Sequence, residues 1–450
     1  MTQIKIRKGH SIRIAGIPQK EVITNLSTAE VGICPVEYRY VKPKLFVKEG
    51  DHVEIGTALF FNKENPKQIW GAPGTGTICK INYGPRRVIE KIIIKLDKSE
   101  NGFSHKSLSL NDIAQLKRNE IKSILSESNL WHLIRQRPFN HVANPADEPR
   151  DIFISALNTA PLAPNLELVL EGQKNALQAG INILNGLTDG DVNVGISADK
   201  QIEELTGLEN CKLHQISGPH PAGNVGIQIH HIDPLKPDDT IWTVNIQHVI
   251  ILGKLFLTGK IDLSIIVSIG GPGANNPIHV KTRIGTKIFT LVNNQLPSDE
   301  SRIISGDVLT GREVNKDDYL GFYDTIISII PVDHSRPFIG WIQPGSSKRT
   351  YSISRSFLSF GKKLFNFSTK QNGSQRALVP INAWEDMLPM DIMPNPLYRA
   401  ILADDVEEMT QLGILECDEE DFALCSFACP SKIDVGAVVR KGLDIMKAEG

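Results

Sequence analysis

The chain has 450 residues, 41% of them hydrophobic, enough for about three domains at the usual ~150 residues each. Forty-nine Lys and Arg against 51 Asp and Glu leave a net charge of −2, so no basic field exists to attract nucleic acid. Six cysteines, none in a CxxC pair, make no disulfide framework and fit a reducing, cytoplasmic compartment.

Met1 to Lys8 carries charge with no apolar run behind it, so it reads as a first β-strand and not as a signal peptide. Residues 1–100 are dense in β-branched residues and turn dipeptides, which predicts a small all-β domain. Within it, Val47-x-Glu49-Gly50-Asp51-x-Val53-x-x-Gly56 and Ala72-Pro73-x-x-Gly76 resemble the barrel-sandwich hammerhead of biotinyl and lipoyl carrier domains. Such carriers hold their cofactor on a lysine at a hairpin tip. Here that place falls near Asn65-Pro66, with Lys63 and Lys67 offset to either side, so a carrier role is not expected.

Residues 101–254 predict a Rossmann-like α/β domain. Asn111 to Arg135 reads as helix, with Ile113, Leu116, Ile121, Ile124 and Leu125 at helical spacing, Asn111 as N-cap and Pro138 as the stop. From Asp151, strand (152–156), helix (170–179), strand (192–194) and helix (199–205) alternate, and strands at 212–216 and 242–247 extend the set. That alternation calls for parallel strands under helices. Residues 255–330 return to short strands with glycine turns, at 261–269, 283–287 and 303–308, and predict a β-grasp domain. A connecting segment (331–380) contains the Ser-rich, basic stretch 349–372, read as flexible. Residues 381–450 predict a helical domain, opened by the proline-rich stretch 387–402 and closed by Val435 to Lys447. The fold class is therefore multidomain, α/β and α+β. The longest apolar runs fall far short of the ~20 residues of a spanning helix, so membrane association would come through partners.

A nucleotide site would need a glycine-rich phosphate loop between strand and helix. Gly74-Thr75-Gly76 has Cys79 where a third glycine belongs, and Gly270-Gly271-Pro272-Gly273 loses a backbone donor at Pro272. Gly218-Pro219-His220-Pro221-Ala222-Gly223-Asn224-Val225-Gly226 is rigid and could line a pocket. All three read as turn chemistry, and no NADH binding is expected. His220, His230, His231 and Asp233 are the densest group of metal-binding types, yet on a strand His230 and His231 would face opposite ways, so no metal site is expected. No G-x-S-x-G elbow or triad pattern supports hydrolase chemistry. Arg135, Arg137 and Phe139, with His220, are the candidates for holding a polar quinone head over an aromatic floor.

Near the end of the chain, Glu419-Glu420-Asp421-Phe422-Ala423-Leu424-Cys425-Ser426-Phe427-Ala428-Cys429-Pro430 matches half of an iron–sulfur loop, C-x2-C-x2-C-x3-C-P. Cys425 and Cys429-Pro430 stand in the last two places. Glu419 and Phe422 occupy the first two. Two sulfurs, a carboxylate and a phenyl ring cannot hold a four-iron cluster, so this is a degenerate loop.

Several stretches together resemble the A subunit of the bacterial sodium-translocating NADH:quinone reductases. They are Arg135-Gln136-Arg137-Pro138-Phe139, Asn158-Thr159-Ala160-Pro161-Leu162-Ala163, Gly218 to Gly223, Gly253 to Gly259, Ser305 to Leu309, Gly340 to Gly345, Asn372-Gly373-Ser374, Leu412 to Glu416 and Asp418 to Cys425, in order over nearly the whole chain. The resemblance implies a peripheral subunit on the cytoplasmic face of the inner membrane, in a six-subunit complex that passes electrons from NADH to ubiquinone and pumps Na+. It implies five other subunits as partners, chiefly the large membrane B subunit of the quinone-reducing end. Flavins and iron–sulfur centres would belong to those partners, and this chain would bind no cofactor and hold no complete active site. The β-grasp segment would be of the SLBB kind. The family is itself related to the flavin- and NADH-binding subunit of complex I and to the C subunit of the Rnf complex, with their ligand motifs worn away. Departures are peripheral: Asp191 to Gly195 lacks the expected aromatic and cysteine, and 348–370 is unusually serine-rich. The competing readings are an Rnf-type adaptor and a free-standing NADH or flavin oxidoreductase.

Overall fold

The computed structural model describes residues 2–20, 22–23, 26–297, 300–335, 351, 353, 363–371 and 373–449. The all-β domain is a sandwich of two antiparallel sheets. One orders Glu30–Ile33, Ile89–Leu96, Gly76–Tyr83 and His52–Val53; the other orders Pro43–Leu45, Ala58–Asn62 and Asn65–Gly71. Period-2 alternation sends Phe60, Trp70, Ile78, Ile92 and Ile94 inward, where each is fully buried. The tip of the Ala58–Asn62 and Asn65–Gly71 hairpin is Lys63-Glu64, two residues earlier than its sequence placement near Asn65-Pro66. Asn62 sets this position: it pairs with Asn65, and its Oδ1 accepts the N–H groups of Lys42 (3.1 Å) and Glu64 (3.2 Å) in an Asx turn.

The α/β domain holds a seven-stranded sheet in the order Thr2–Lys5, Lys212–Ser217, Val192–Ser197, Asp151–Ala156, Ile241–Asn245, Arg135–Arg137, His141–Val142. The first five strands run parallel, and Arg135–Arg137 pairs antiparallel with both of its neighbours. The first strand exists as expected but belongs to this sheet, while Val22–Ile23 pairs with Ile278–Arg283 of the next domain. Two helices, Lys174–Asn185 and Ile246–Thr258, touch backbone to backbone, because a Cβ on Gly253 would stand 1.8 Å from the Ala176 carbonyl and one on Gly180 2.2 Å from that of Val249.

Three expected elements are divided by local backbone chemistry. The helix expected over 111–135 is two helices, Leu110–Ala114 capped by Ser109 and Arg118–Glu127, then a 3-10 turn, Trp131–Leu133, and the strand Arg135–Arg137. Asn129, at φ 54°, ends the helical run. Gly172, at φ 68°, splits the next expected helix into Leu166–Leu170 and Lys174–Asn185. The helix expected at 199–205 is only a 3-10 turn, Glu203–Leu205, and the last strand stops at Asn245, whose side chain accepts from Gln247 N and starts a helix.

The β-grasp domain has a mixed six-stranded sheet, Arg312–Val314, Ser301–Ser305, Ile326–Pro331, Ser264–Gly270, Ile278–Arg283 and Val22–Ile23, with the helix Ile288–Val292. Of residues 283–287, expected as strand, only Arg283 ends a strand; Ile284-Gly285 make a turn, with Gly285 at φ 74°. One continuous apolar core runs through the sandwich, α/β and β-grasp domains. At their meeting point, Phe322 packs 5.5 Å from Tyr38 and 4.7 Å from His132, ring to ring. The C-terminal helices Pro394–Leu402, Val406–Gln411, Ala423–Ala428 and Val435–Glu449 enclose a separate core, which reaches the α/β domain through Ile6, Ile216, Ala222 and Ile227. Most of the connector, including the Gly340 to Gly345 stretch, lies outside the described residues.

Candidate functional site

The sequence candidates converge where the α/β sheet meets the acidic loop of the C-terminal domain. Asp418 begins a 3-10 turn, Glu419–Phe422, and forms a capping box with Asp421. Its carboxylate, 1% exposed, faces three guanidiniums: Arg137 at 3.3 Å, Arg39 at 3.6 Å and Arg440 at 2.5 Å. Asn140 donates to the same carboxylate. Glu419 pairs with Arg39 and Arg440, and Glu420 accepts from Arg137 at 3.1 Å. Arg440 also donates to the Phe139 carbonyl at 3.1 Å, and Lys447 sits 5.1 Å over the Phe139 ring.

Burial alone would raise the Asp418 carboxyl, but Arg137, Arg39 and Arg440 hold it well below the usual carboxylate range. Asp421 is different. Burial pushes it up to about 8 against the pull of Arg137, and burial followed by the Asp418 charge also raises Glu420.

The cysteines lie in the core beneath this network. Cys425 and Cys429 are at 0% and 1% exposure, and Cys425 Sγ lies 3.6 Å from the Trp384 carbonyl. Burial pushes the Cys425 thiol up, away from the thiolate that a metal requires. Glu419 is taken up by arginines and Phe422 by the apolar core. Among the described residues, no group of three or more His, Cys, Asp and Glu side chains could hold a metal ion.

Arg137 and Phe139 therefore meet at the acidic loop. Arg135, two residues back on the same strand, instead places its guanidinium 4.8 Å over the Tyr323 ring at the β-grasp domain. His220 stands apart: its Nδ1 lies 3.2 Å from Thr159 Oγ1, its Nε2 has no hydrogen-bond partner among the described residues, and burial lowers it to about 4. His230 and His231 lie on the helix Val225–Ile232, not on a strand. His230 bonds Glu416 at 2.9 Å and accepts the Asp391 N–H at 3.0 Å, and His231 lies 2.8 Å from the Pro389 carbonyl, so both fasten the C-terminal domain.

The carboxyl edge of the α/β sheet and one of the glycine turns are engaged by the chain's own groups. Open α/β sheets bind ligands outside the carboxyl ends of their strands, at the point where strand order reverses, here between Asp151–Ala156 and Ile241–Asn245. The β-grasp domain covers that edge. Gln247 exchanges two hydrogen bonds with Ile266 (2.9 and 2.7 Å), Ser268 donates to the Leu162 carbonyl at 2.6 Å, and Asn165 N donates to His279 at 3.0 Å. Gly271 and Gly273 direct their N–H groups to Gly16 and Ile329 carbonyls, both at 2.9 Å. Arg39, Asn140 and Arg440 escaped sequence reasoning. The only signal was four consecutive acids, Asp418 to Asp421, in an otherwise apolar context.

A barrel-sandwich hybrid, a Rossmann-like α/β domain and a β-grasp domain in that order, closed by helices around a two-cysteine remnant, define a multidomain scaffold of the respiratory-reductase class. Family descriptions follow the same order: "NqrA N-terminal barrel-sandwich hybrid domain" matches residues 4–97, "NqrA second alpha/beta domain" 116–261 and "NQRA C-terminal domain", of SLBB type, 266–316. The chain is 38% identical over 449 residues to the A subunit of the Na(+)-translocating NADH-quinone reductase of Pasteurella multocida, covering 99% of this chain and 100% of that one. It is 39% identical over 451 residues to the corresponding protein of Haemophilus influenzae (strain PittGG), with the same coverage. The chain belongs to the NqrA family, the A subunits of the Na(+)-translocating NADH-quinone reductases. A chain of an NAD+-reducing NiFe hydrogenase, 13% identical, overlays with a TM-score of 0.32 over 50% of this chain and 46% of that one.

Proposed function

We propose that this chain is a peripheral, non-catalytic component of a Na+-translocating complex that oxidises NADH and reduces ubiquinone. It sits on the cytoplasmic face of the inner membrane with five partner subunits, against the large membrane B subunit, where it supports or caps the quinone-reducing site. The observation that carries the reading is the match to named subunits over 99% of the chain. No helix among the described residues is long and apolar enough to cross a membrane, and in this reading attachment is through the partners.

In this reading the chain binds no cofactor, while the complex uses NADH, flavins, iron–sulfur centres, ubiquinone and Na+. The covered switch-point edge, the raised Cys425 thiol and the self-bonded glycine turns support it. Of the four quinone-contact candidates, Arg137 and Phe139 are engaged by the acidic loop, so the assignment rests on His220, with its free Nε2, and on Arg135. Photo-crosslinking of a quinone analogue in the assembled complex tests this. Label on this chain near His220 or Arg135 is expected, and a chain without label overturns the capping role. Isolation of the native membrane complex separates the scaffold from its alternatives. Flavin or iron–sulfur absorbance in the isolated chain, or micromolar NADH binding, would favour a free-standing oxidoreductase. Recovery with a ferredoxin-linked partner set would favour an Rnf-type adaptor.

A further inference from the structure

The three-stranded sheet of the sandwich domain turns one face outward. Lys44 stands opposite Phe61, and Phe61 opposite Ile69, so these three form a row across the outer side, while Phe60 and Trp70 point inward and are fully buried. Phe46, just beyond the first strand, is 55% exposed and lies 4.9 Å from Phe61, ring to ring. Lys44 Nζ rests 5.8 Å over the Phe61 ring. Lys67, two residues before Ile69, falls on the same side of the pleat, and Lys42, Lys48 and Lys63 are exposed in the loops that flank these strands.

Residues 42–48 and 58–71 hold five lysines and one acid, in a chain whose net charge is −2. That acid, Glu64, is paired with Lys42 at 2.6 Å. Lys44, Lys48, Lys63 and Lys67 have no ion-pair partner among the described residues. The next acids along the chain, Glu49 and Asp51, accept the backbone N–H groups of Ile81 (2.8 Å) and Lys48 (2.9 Å). A peptide partner would be read by directional hydrogen bonds, and the side chains of Lys44, Phe46, Phe61, Lys67 and Ile69 offer only ammonium groups and hydrocarbon. Such a face suits a charged layer with an apolar interior. Aromatic rings settle where headgroups meet acyl chains, and lysine stems lie along hydrocarbon while their ammonium groups reach phosphates.

We propose that this face of the sandwich domain rests directly on an anionic lipid surface, with Phe46 and Phe61 at the headgroup boundary and Lys44, Lys63 and Lys67 on lipid phosphates. The contact fixes which side of the domain faces the bilayer. It goes beyond the subunit reading, in which partners alone hold the chain at the membrane, and stands or falls separately from it.

Flotation of the full-length chain with lipid vesicles tests the contact. At about millimolar lipid the chain should float with mixed phosphatidylglycerol and phosphatidylcholine, not with phosphatidylcholine alone, and added salt should release it. Lys44→Gln/Lys67→Gln should lower the partition coefficient about 25-fold, at about fivefold for each lysine. Phe46→Ser should lower it about fivefold. Lys200→Gln/Lys316→Gln, which removes two exposed lysines of the other domains, should float like wild type. No flotation of the wild type, equal flotation with both vesicles, or equal loss in the two lysine pairs overturns the proposal. A dimer in light scattering that Phe46→Ser dissolves also overturns it, giving the face to a second copy. Recovery of the native complex tests the subunit reading apart from these results.

Discussion

Arg137 donates to Glu420 over 3.1 Å across a sequence separation of 283 residues, and the same guanidinium lies 3.3 Å from Asp418. Removing one member of a buried charge network leaves its partner uncompensated, at a cost of about 3–5 kcal/mol. Arg39 and Arg440 still face Asp418, so Arg137→Met should fall at the lower end, about 3 kcal/mol, localised to the C-terminal helices. Loss of amide protection in Val435–Glu449 with the sandwich domain unchanged is the expected signature.

Stability should fall on both sides of neutrality. Burial holds His132 at about 3 and His141, His220 and His248 at about 4, below their ordinary value of 6.5. The folded chain binds fewer protons there than the unfolded one, so their contribution is present above pH 6.5 and lost as pH falls toward those lower values. Asp421 and Glu37 act oppositely: burial raises them to about 8 and about 7. Their contribution is whole below the ordinary carboxyl range and lost as pH rises through 7 and 8. Denaturant midpoints across pH should therefore peak near neutrality, and Asp421→Asn should flatten the alkaline decline of the C-terminal domain. A midpoint that keeps climbing above pH 8 would contradict the Asp421 environment.

Gly253→Ala should destabilise the α/β domain. The added methyl meets the Ala176 carbonyl at 1.8 Å, so the two helices must part; overpacking of this kind costs about 1–3 kcal/mol, here at the upper end. Urea unfolding followed by Trp242 fluorescence reports it, since Trp242 is fully buried in the neighbouring strand.

Cys425→Ser and Cys429→Ser should leave the visible and EPR spectra of the assembled complex unchanged. Both sulfurs are buried in an apolar core, so the expected loss is of stability, about 1 kcal/mol each. Disappearance of any redox signal would show the loop to be a working ligand set.

Lys63, which stands at the hairpin tip, should carry no cofactor. Its neighbour Glu64 is paired with Lys42 at 2.6 Å, so the tip is fastened to the adjacent strand. Intact mass equal to that of the bare polypeptide is expected, and a lipoyl or biotinyl increment would reverse the assignment.

The alternation of strand and helix made the strands at 152–156 and 192–194 legible as parallel strands of an α/β layer, and family-like motifs made the order of domains legible. What escaped was decided by single backbone angles or by distant partners. Asn129 and Gly172 end helices through positive φ, which periodicity does not encode. The Ile-Gln-Ile-His-His-Ile run around His230 fits strand and helix alike, and burial under the C-terminal domain selects the helix. The loop was legible as the absence of two cysteines, at Glu419 and Phe422. That Asp418, Glu419 and Glu420 would answer Arg39, Arg137 and Arg440 was not, because charge pairing between domains leaves no spacing rule.

The strand Thr2–Lys5 pairs with Lys212–Ser217, and Gln3 bonds Gln215 across 212 residues. During synthesis the sandwich domain is complete long before that pairing partner leaves the ribosome. Its leading segment must wait, then dock after the α/β sheet has formed. The sandwich is thereby tied at both ends to the same sheet, like a bead on a closed loop, and cannot swing as an arm in the manner of a mobile carrier domain.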